Sequence, residues 1–193
     1  MSAILLALGC TPSLDAVVQR AVDGGFQGVL HVERGADVLL LEAWGDAIRA
    51  EGDRPAVPHT IDTVFTVGSL TKQFTGAAVL AAQERGLLSV HDTLADHFVD
   101  VPPERADVTL HQLLSHKGGF VGAIGEDREV IDREAYVRRA LRGPWDVPVG
   151  KHRYSNTGYS LVAAVLEQAT GEPYETLLQT WLFEPLDLRL TGY

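Results

Sequence analysis

The chain has 193 residues, of which 46% are hydrophobic and 22% are charged, and its formal net charge at pH 7 is −10. This composition is typical of a globular protein with a packed core and excludes a disordered chain. The excess of acidic side chains disfavours binding to the phosphate backbone of a nucleic acid. No apolar stretch reaches the length of a membrane-spanning helix.

The N-terminus reads MSAILLALGCTPS, an apolar run that ends at Cys10, the single cysteine. An internal disulfide is therefore excluded. The run is similar to the end of a bacterial lipoprotein signal, but it lacks a basic segment and is too short for a complete one. We interpret residues 1–12 as an N-terminal tail or a signal remnant, with a lipid anchor at Cys10 as the alternative. Localisation stays open between the cytoplasm, an extracytoplasmic compartment such as the periplasm, and a membrane-anchored lipoprotein.

A helix and a hairpin are predicted next, within a partial α/β region over residues 13–68. Ser13 is placed to cap a helix through LDAVVQRAVD, which Gly24 and Gly25 end. Two apolar runs then flank a turn at residues 34–37, as in a β-hairpin. The second run, VLLLEAW, is apolar on both faces, which is typical of an interior strand of a larger sheet. Residues 50–60 are polar with two prolines and are predicted to be a loop.

The rest of the chain, residues 69–193, is predicted to be helical. A strand-like run at residues 63–67 leads through Gly68 into a helix that ends before Gly86. Later helices are predicted after Thr93, after Thr109 with a capping box to Gln112, over residues 132–141, over residues 157–170, and from Pro173 to about residue 183. The fold class is therefore α+β. Because a lone hairpin is only marginally stable, we expect further C-terminal strands that this chain lacks.

Ser69 and Lys72 carry the first chemical signal. Residues three apart share a helix face, so the lysine amine can reach the serine hydroxyl. The chain has three lysines and thirteen arginines, and unlike arginine a lysine can lose its proton in a protein. A serine becomes a strong nucleophile when a base takes its proton. The alternative interpretation is a helix-capping serine beside a solvated lysine.

A second segment, Tyr154-Ser155-Asn156, directly precedes a predicted helix. Together with SLTK at residues 69–72, and with VTLHQLLSHKGGF and TGYSLVAAVLEQATG, it resembles the serine β-lactamase and penicillin-recognising superfamily. The similarity is greatest to the branch of class C β-lactamases, D-alanyl-D-alanine carboxypeptidases and related esterases. It covers residues from about 14 to 193 in the family's order, as expected for the N-terminal part of such an enzyme.

The resemblance implies a role for each motif residue. Ser69 would be the acylated nucleophile, Lys72 a proton acceptor or relay, Tyr154 a base or proton shuttle, and Asn156 the group that orients the substrate amide and the lysine. Without it, Tyr154 is explained equally well as a buried tyrosine and Asn156 as a helix cap. A cation near Tyr154 would stabilise its phenolate.

The sequence departs from the family at its third motif, K/H-T/S-G, which would follow the end of this chain. Lys117 precedes Gly-Gly and Lys151 precedes His-Arg, so neither fits. The predicted function is a serine hydrolase that acts through an acyl-enzyme on a β-lactam, a D-Ala-D-Ala peptide, or a small ester or amide. The alternative is a non-catalytic scaffold or fragment with a binding or sensing role.

No cofactor or metal is expected. The histidine pairs are five or six residues apart, which does not stack two ligands on one helix face, and no HExxH motif is present. His116, next to Ser115, is interpreted as a residue that packs near the Gly118-Gly119 turn.

Overall fold

The structure, a computed structural model, describes residues 12–126 and 129–192. Cys10 and the rest of the predicted tail up to residue 11 lie outside the described residues. The chain forms two compact units, one ending at Thr66 and the other beginning at Val67.

The first unit contains the predicted helix and hairpin. Helix α1 spans Leu14–Asp23, and the Ser13 hydroxyl accepts a hydrogen bond from the Ala16 N–H group at 3.2 Å, as an N-cap does. Strands β1 (Gly28–Arg34) and β2 (Asp37–Trp44) pair antiparallel. Local capping and turn signals therefore specify this part of the unit.

One expectation for the first unit differs from the structure and another stays a prediction. Strand β2 belongs to a two-stranded sheet within residues 12–66, and its residues Val38, Leu39 and Leu41 are 56%, 44% and 41% exposed, so its place inside a larger sheet remains a prediction. Strands β3 (Asp46–Ile48) and β4 (Val57–Pro58) form a second antiparallel pair. The predicted loop over residues 50–60 is therefore wrong at β4, which is too short to show an alternating pattern.

The second unit is helical. A 3₁₀ turn at Gly68–Leu70 leads into α2 (Thr71–Glu84), while residues 63–67, predicted to be strand-like, form no strand. The remaining helices are α3 (Leu94–His97), α4 (Pro103–Ala106), α5 (Leu110–Leu114), α6 (Arg133–Arg142), α7 (Asn156–Thr170) and α8 (Tyr174–Leu178), followed by a π-turn at Gln179–Phe183. All were predicted except α4, a single turn. Among the described residues, no helix has both the length and the apolar character needed to cross a membrane.

Helix α7 lies at the centre of the second unit and packs against α2, α5, α6 and α8. Its residues Leu161, Val162, Val165 and Leu166 are fully buried. Burial of each such side chain contributes about 1.5–3 kcal/mol. Gly171 ends the helix with a φ of 75°, a left-handed conformation that glycine adopts without steric cost. The buried core therefore fixes the helix whose N-terminus carries Asn156.

Arg105 is a buried cation in the second unit, with 2% of its surface exposed. Its guanidinium lies over the rings of Phe120 and Trp145, at 4.5 and 4.3 Å from their centroids. It donates hydrogen bonds to the Ala140 carbonyl at 3.1 Å and to the Gly143 carbonyl. Arg105 thus joins α4 to the C-terminal end of α6 and to the aromatic pair.

Candidate active site

Ser69 and Lys72 stand where the 3₁₀ turn passes into α2. Gly68 has a φ of 50°, in the left-handed region that favours glycine, and the chain then turns sharply into the helix. Ser69 lies in the turn and Lys72 in the first turn of α2. The Lys72 Nζ donates to the Ser69 Oγ at 3.4 Å. The predicted proximity of the amine and the hydroxyl is therefore present.

Tyr154 and Asn156 approach the same point from a distant part of the sequence. The Tyr154 hydroxyl and the Ser69 Oγ are hydrogen-bond partners at 2.7 Å. The Asn156 Oδ1 accepts a hydrogen bond from the Lys72 Nζ at 2.7 Å. All four residues that the two motifs single out thus form one hydrogen-bonded cluster within the second unit.

Ser155 fixes the segment between these two side chains. It is 4% exposed and is the N-cap of α7, where its hydroxyl accepts from the Gly158 N–H group at 3.0 Å and donates to the Val121 carbonyl at 2.7 Å. The Asn156 N–H group donates to the Gly122 carbonyl at 2.7 Å. Residues 121–122 therefore hold the backbone from which Tyr154 and Asn156 project.

His116 makes contacts with the candidate site that the sequence did not predict. Its ring centroid lies 4.6 Å from that of Tyr154, 5.1 Å from that of Tyr159 and 5.9 Å from that of His152. Its Nδ1 accepts a hydrogen bond from the Ser155 N–H group at 3.2 Å. The expectation that His116 packs near the glycine turn is incomplete, because the ring also packs against the candidate base.

Tyr159 forms a further wall beside the lysine. The Lys72 Nζ lies 4.9 Å from the ring centroid of Tyr154 and 5.4 Å from that of Tyr159. The Tyr159 hydroxyl donates to the Leu114 carbonyl at 2.9 Å, so it points to the backbone of α5. An ammonium near two aromatic faces gains cation–π attraction.

The electrostatics distinguish the two tyrosines. Hydrogen bonding to Lys72, and then to Ser69, lowers the pKa of the Tyr154 phenol below its ordinary value, and the positive charge of Lys72 adds to the effect. Burial raises the pKa of Tyr159. Of the two phenols, Tyr154 therefore loses its proton more readily, and it is the one in contact with the serine.

The described residues were also compared with the ligand sets that hold metal ions. Within residues 12–126 and 129–192, no group of three or more histidine, cysteine, aspartate or glutamate side chains is arranged to hold a metal ion. The cluster around Ser69 consists of hydroxyl, amine, phenol and amide groups. Groups of these kinds can exchange protons, and a serine hydroxyl becomes a strong nucleophile when a base takes its proton.

Known proteins share this sequence pattern and fold. The "Beta-lactamase" family profile matches residues 14–193. Esterase EstB of Burkholderia gladioli is 28% identical over 202 residues, which cover 93% of this chain and 50% of the esterase. The solved penicillin binding protein from Bacillus halodurans has a TM-score of 0.76 at 24% identity and covers 92% of this chain and 57% of its own.

A class C beta lactamase from Rhodobacter sphaeroides has a TM-score of 0.72 at 24% identity, over 90% of this chain and 48% of its own. The two solved structures establish the mixed α/β fold. The chain spans 38–50% of the length of the first four curated relatives it matches. Because the family profile matches nearly the whole chain, the predicted resemblance is confirmed, and the chain belongs to the beta-lactamase family.

Proposed function

We propose that the chain carries the acylating machinery of a serine hydrolase, with Ser69 as the nucleophile. The observation that carries the proposal is the position of the Ser69 Oγ, 2.7 Å from the Tyr154 hydroxyl and 3.4 Å from the Lys72 Nζ. A base must lie within hydrogen-bond reach of the proton it removes. The Tyr154 phenol meets this condition at 2.7 Å, and the Lys72 amine lies farther from the serine oxygen, at 3.4 Å.

The geometry favours Tyr154 as the proton acceptor. The Lys72 Nζ is engaged as a donor to the Asn156 Oδ1, which can only accept. A phenolate at Tyr154 would take the Ser69 proton while the lysine charge stabilises it. The serine oxygen then bonds to the substrate carbonyl carbon, and the proton passes to the departing amine or alcohol. Water subsequently cleaves the acyl ester and restores the serine hydroxyl.

The substrate class follows from the family and not from the cluster itself. Relatives include an esterase and proteins whose names record penicillin binding or D-alanine carboxypeptidase activity. We propose a carbonyl substrate of one of three kinds: a β-lactam, a D-Ala-D-Ala peptide, or a small ester or amide. All three undergo the same acyl transfer, and pocket contacts discriminate among them.

A non-catalytic role is the second candidate. In the family, the strand that carries the K/H-T/S-G motif supplies the second oxyanion donor, and residues 1–193 hold no such sequence. Loss of one such donor costs about 10²–10³ in rate. Under this alternative the scaffold would bind or sense a ligand without turnover.

Covalent labelling tests the proposal. The purified chain is incubated separately with a fluorescent penicillin and with a fluorophosphonate, and the same reactions are run on Ser69→Ala. We expect label on the wild type and none on the variant. Equal labelling of both proteins, or no label on either, would contradict the assignment of Ser69. The probe that reacts also distinguishes a β-lactam-accepting site from a general esterase site.

A Lys72→Arg variant separates the two roles of the lysine. It keeps the positive charge and removes the ability to accept a proton. If Tyr154 is the base, Lys72→Arg should label more than Lys72→Met, because the charge still stabilises the phenolate. Equal loss in both variants would identify Lys72 as the proton acceptor.

A further inference from the structure

His116 stands apart from the motif residues but holds the segment that carries two of them. The Ser155 N–H group donates to its Nδ1 at 3.2 Å, and the His116 carbonyl accepts from the Arg153 N–H group at 2.8 Å. His116 therefore contacts the backbone on both sides of Tyr154. Its own φ is 57°, a left-handed conformation in which histidine, asparagine and aspartate are enriched.

The hydrogen bond fixes the protonation state of the ring. An imidazole nitrogen that accepts a hydrogen bond carries no proton, so the neutral His116 ring has its proton on Nε2. If Nδ1 became protonated, its N–H group would oppose the Ser155 N–H group, and the bond would be lost. The N–H group of the buried Ser155 would then have to find another acceptor.

The surroundings of His116 oppose this protonation. The aromatic and charged groups that face the ring are Tyr154, Tyr159, His152 and Lys72. Burial, the neighbouring His152 and the Lys72 charge lower the pKa of His116, in that order of importance. The ring therefore takes up a proton at a lower pH than an ordinary histidine does.

We infer that His116 is a pH-sensitive positioning residue, whose neutral ring anchors the Tyr154-Ser155-Asn156 segment through the Ser155 N–H group and by packing against the Tyr154 ring. This inference rests on the proposed function, since it concerns the alignment of the proposed base. Protonation of His116 breaks the anchor, frees Tyr154 from its 2.7 Å contact with Ser69, and slows acylation at acid pH.

Two substitutions of His116 test its hydrogen-bond acceptor and its aromatic ring separately. Asn carries its Oδ1 at the branch point where His carries Nδ1, tolerates the left-handed backbone, and does not titrate. His116→Asn should therefore keep the Ser155 hydrogen bond. His116→Phe keeps an aromatic ring beside Tyr154 but has no acceptor. An unsatisfied N–H group of this kind should slow acylation by about tenfold or more, whereas the Asn variant should stay within about threefold of the wild type.

The direct measurement is a pH titration followed by nuclear magnetic resonance. We expect the Ser155 amide resonance of the wild type to shift with the same midpoint as the His116 ring signals, and we expect this transition to be absent in His116→Asn. The exposed His111 offers a matched control: His111→Asn should leave the transition in place. If the Ser155 amide resonance does not change as His116 titrates, the proposed hydrogen bond between the two residues is contradicted.

Labelling of Ser69 supplies the second readout. The labelling rate is measured at increasing probe concentrations. In His116→Phe the maximal acylation rate should be lower than in the wild type, and the affinity for the probe should be unchanged. Equal acylation rates in His116→Phe and His116→Asn would overturn the positioning role. If His116→Phe does not fold, the pH titration of His116→Asn still tests whether the His116 ring holds the Ser155 N–H group. A wild type that takes no label, but whose Ser155 amide follows His116, would refute the proposed function and support the anchor.

Discussion

Replacement of Tyr154 by Phe removes one oxygen atom from the candidate site. The lost group is the hydroxyl that lies 2.7 Å from the Ser69 Oγ. The ring remains, so its packing against the His116 ring, 4.6 Å between centroids, and its contact with the Lys72 Nζ at 4.9 Å are kept. The substitution therefore separates proton transfer from packing.

The expected magnitude differs sharply between the two roles of this hydroxyl. Tyr154 is 44% exposed, and a hydrogen bond there contributes about 0.5–1.5 kcal/mol at most, which is about tenfold in rate. A general base contributes about 10²–10⁴-fold, or about 3–5 kcal/mol of barrier. If Tyr154 takes the Ser69 proton, Tyr154→Phe should slow acylation by about a hundredfold or more.

The assay is the pseudo-first-order rate of fluorophosphonate labelling at pH 7. A matched control is Tyr136→Phe, which removes a phenol from α6, away from Ser69. We expect normal labelling in the control and thermal stability close to the wild type in both variants. A loss of less than about tenfold in Tyr154→Phe would refute the assignment of Tyr154 as the base.

Three further predictions concern charge and burial. Because Lys72 lowers the pKa of Tyr154, Lys72→Met should raise it, and the rise of labelling rate with pH should move to higher pH. Arg105→Met leaves two backbone carbonyls without their donor, so the free energy of unfolding measured in urea should fall by about 2 kcal/mol or more. The Thr157 Oγ1 is buried without a hydrogen-bond partner among the described residues, so Thr157→Val should raise the free energy of unfolding by about 1 kcal/mol.

Each of these has its own control and its own contrary result. Lys151→Met removes an exposed lysine and should leave the pH profile unchanged; a profile that does not move in Lys72→Met contradicts the electrostatic account. Arg138→Met breaks only an exposed pair with Glu134 at 3.8 Å and should cost about 0.5 kcal/mol or less. If Arg105→Met lowers the free energy of unfolding by as little as Arg138→Met, the argument from the buried carbonyls is contradicted. If Thr157→Val clearly lowers it, the argument from the unpaired Thr157 hydroxyl is contradicted.

Local signals explain most of what the sequence predicts. Ser13 and Thr109 accept hydrogen bonds from the helices they precede, as their spacing indicates, and Gly171 ends α7. These features depend on contacts three or four residues apart. The family and the proximity of Ser69 to Lys72 follow from equally short motifs.

Features that depend on distant residues were not predictable in this way. The contact of His116 with Tyr154 joins residues 38 positions apart. The positive φ of His116 is a local feature of the backbone, but it cannot be read from the sequence. Arg105 has no carboxylate partner to suggest its burial, and its partners are carbonyls and rings from other segments. Tertiary packing decides both positions.

The most direct test of the account is to locate the covalent adduct. After fluorophosphonate treatment, tandem mass spectrometry of the digested chain should find the added mass on Ser69, with one adduct per chain. Ser160→Ala, which alters another serine of the second unit, should be modified as fully as the wild type, and Ser69→Ala should carry no adduct. Modification at a serine other than Ser69, or none at all, would contradict the claim that Ser69 is the activated nucleophile.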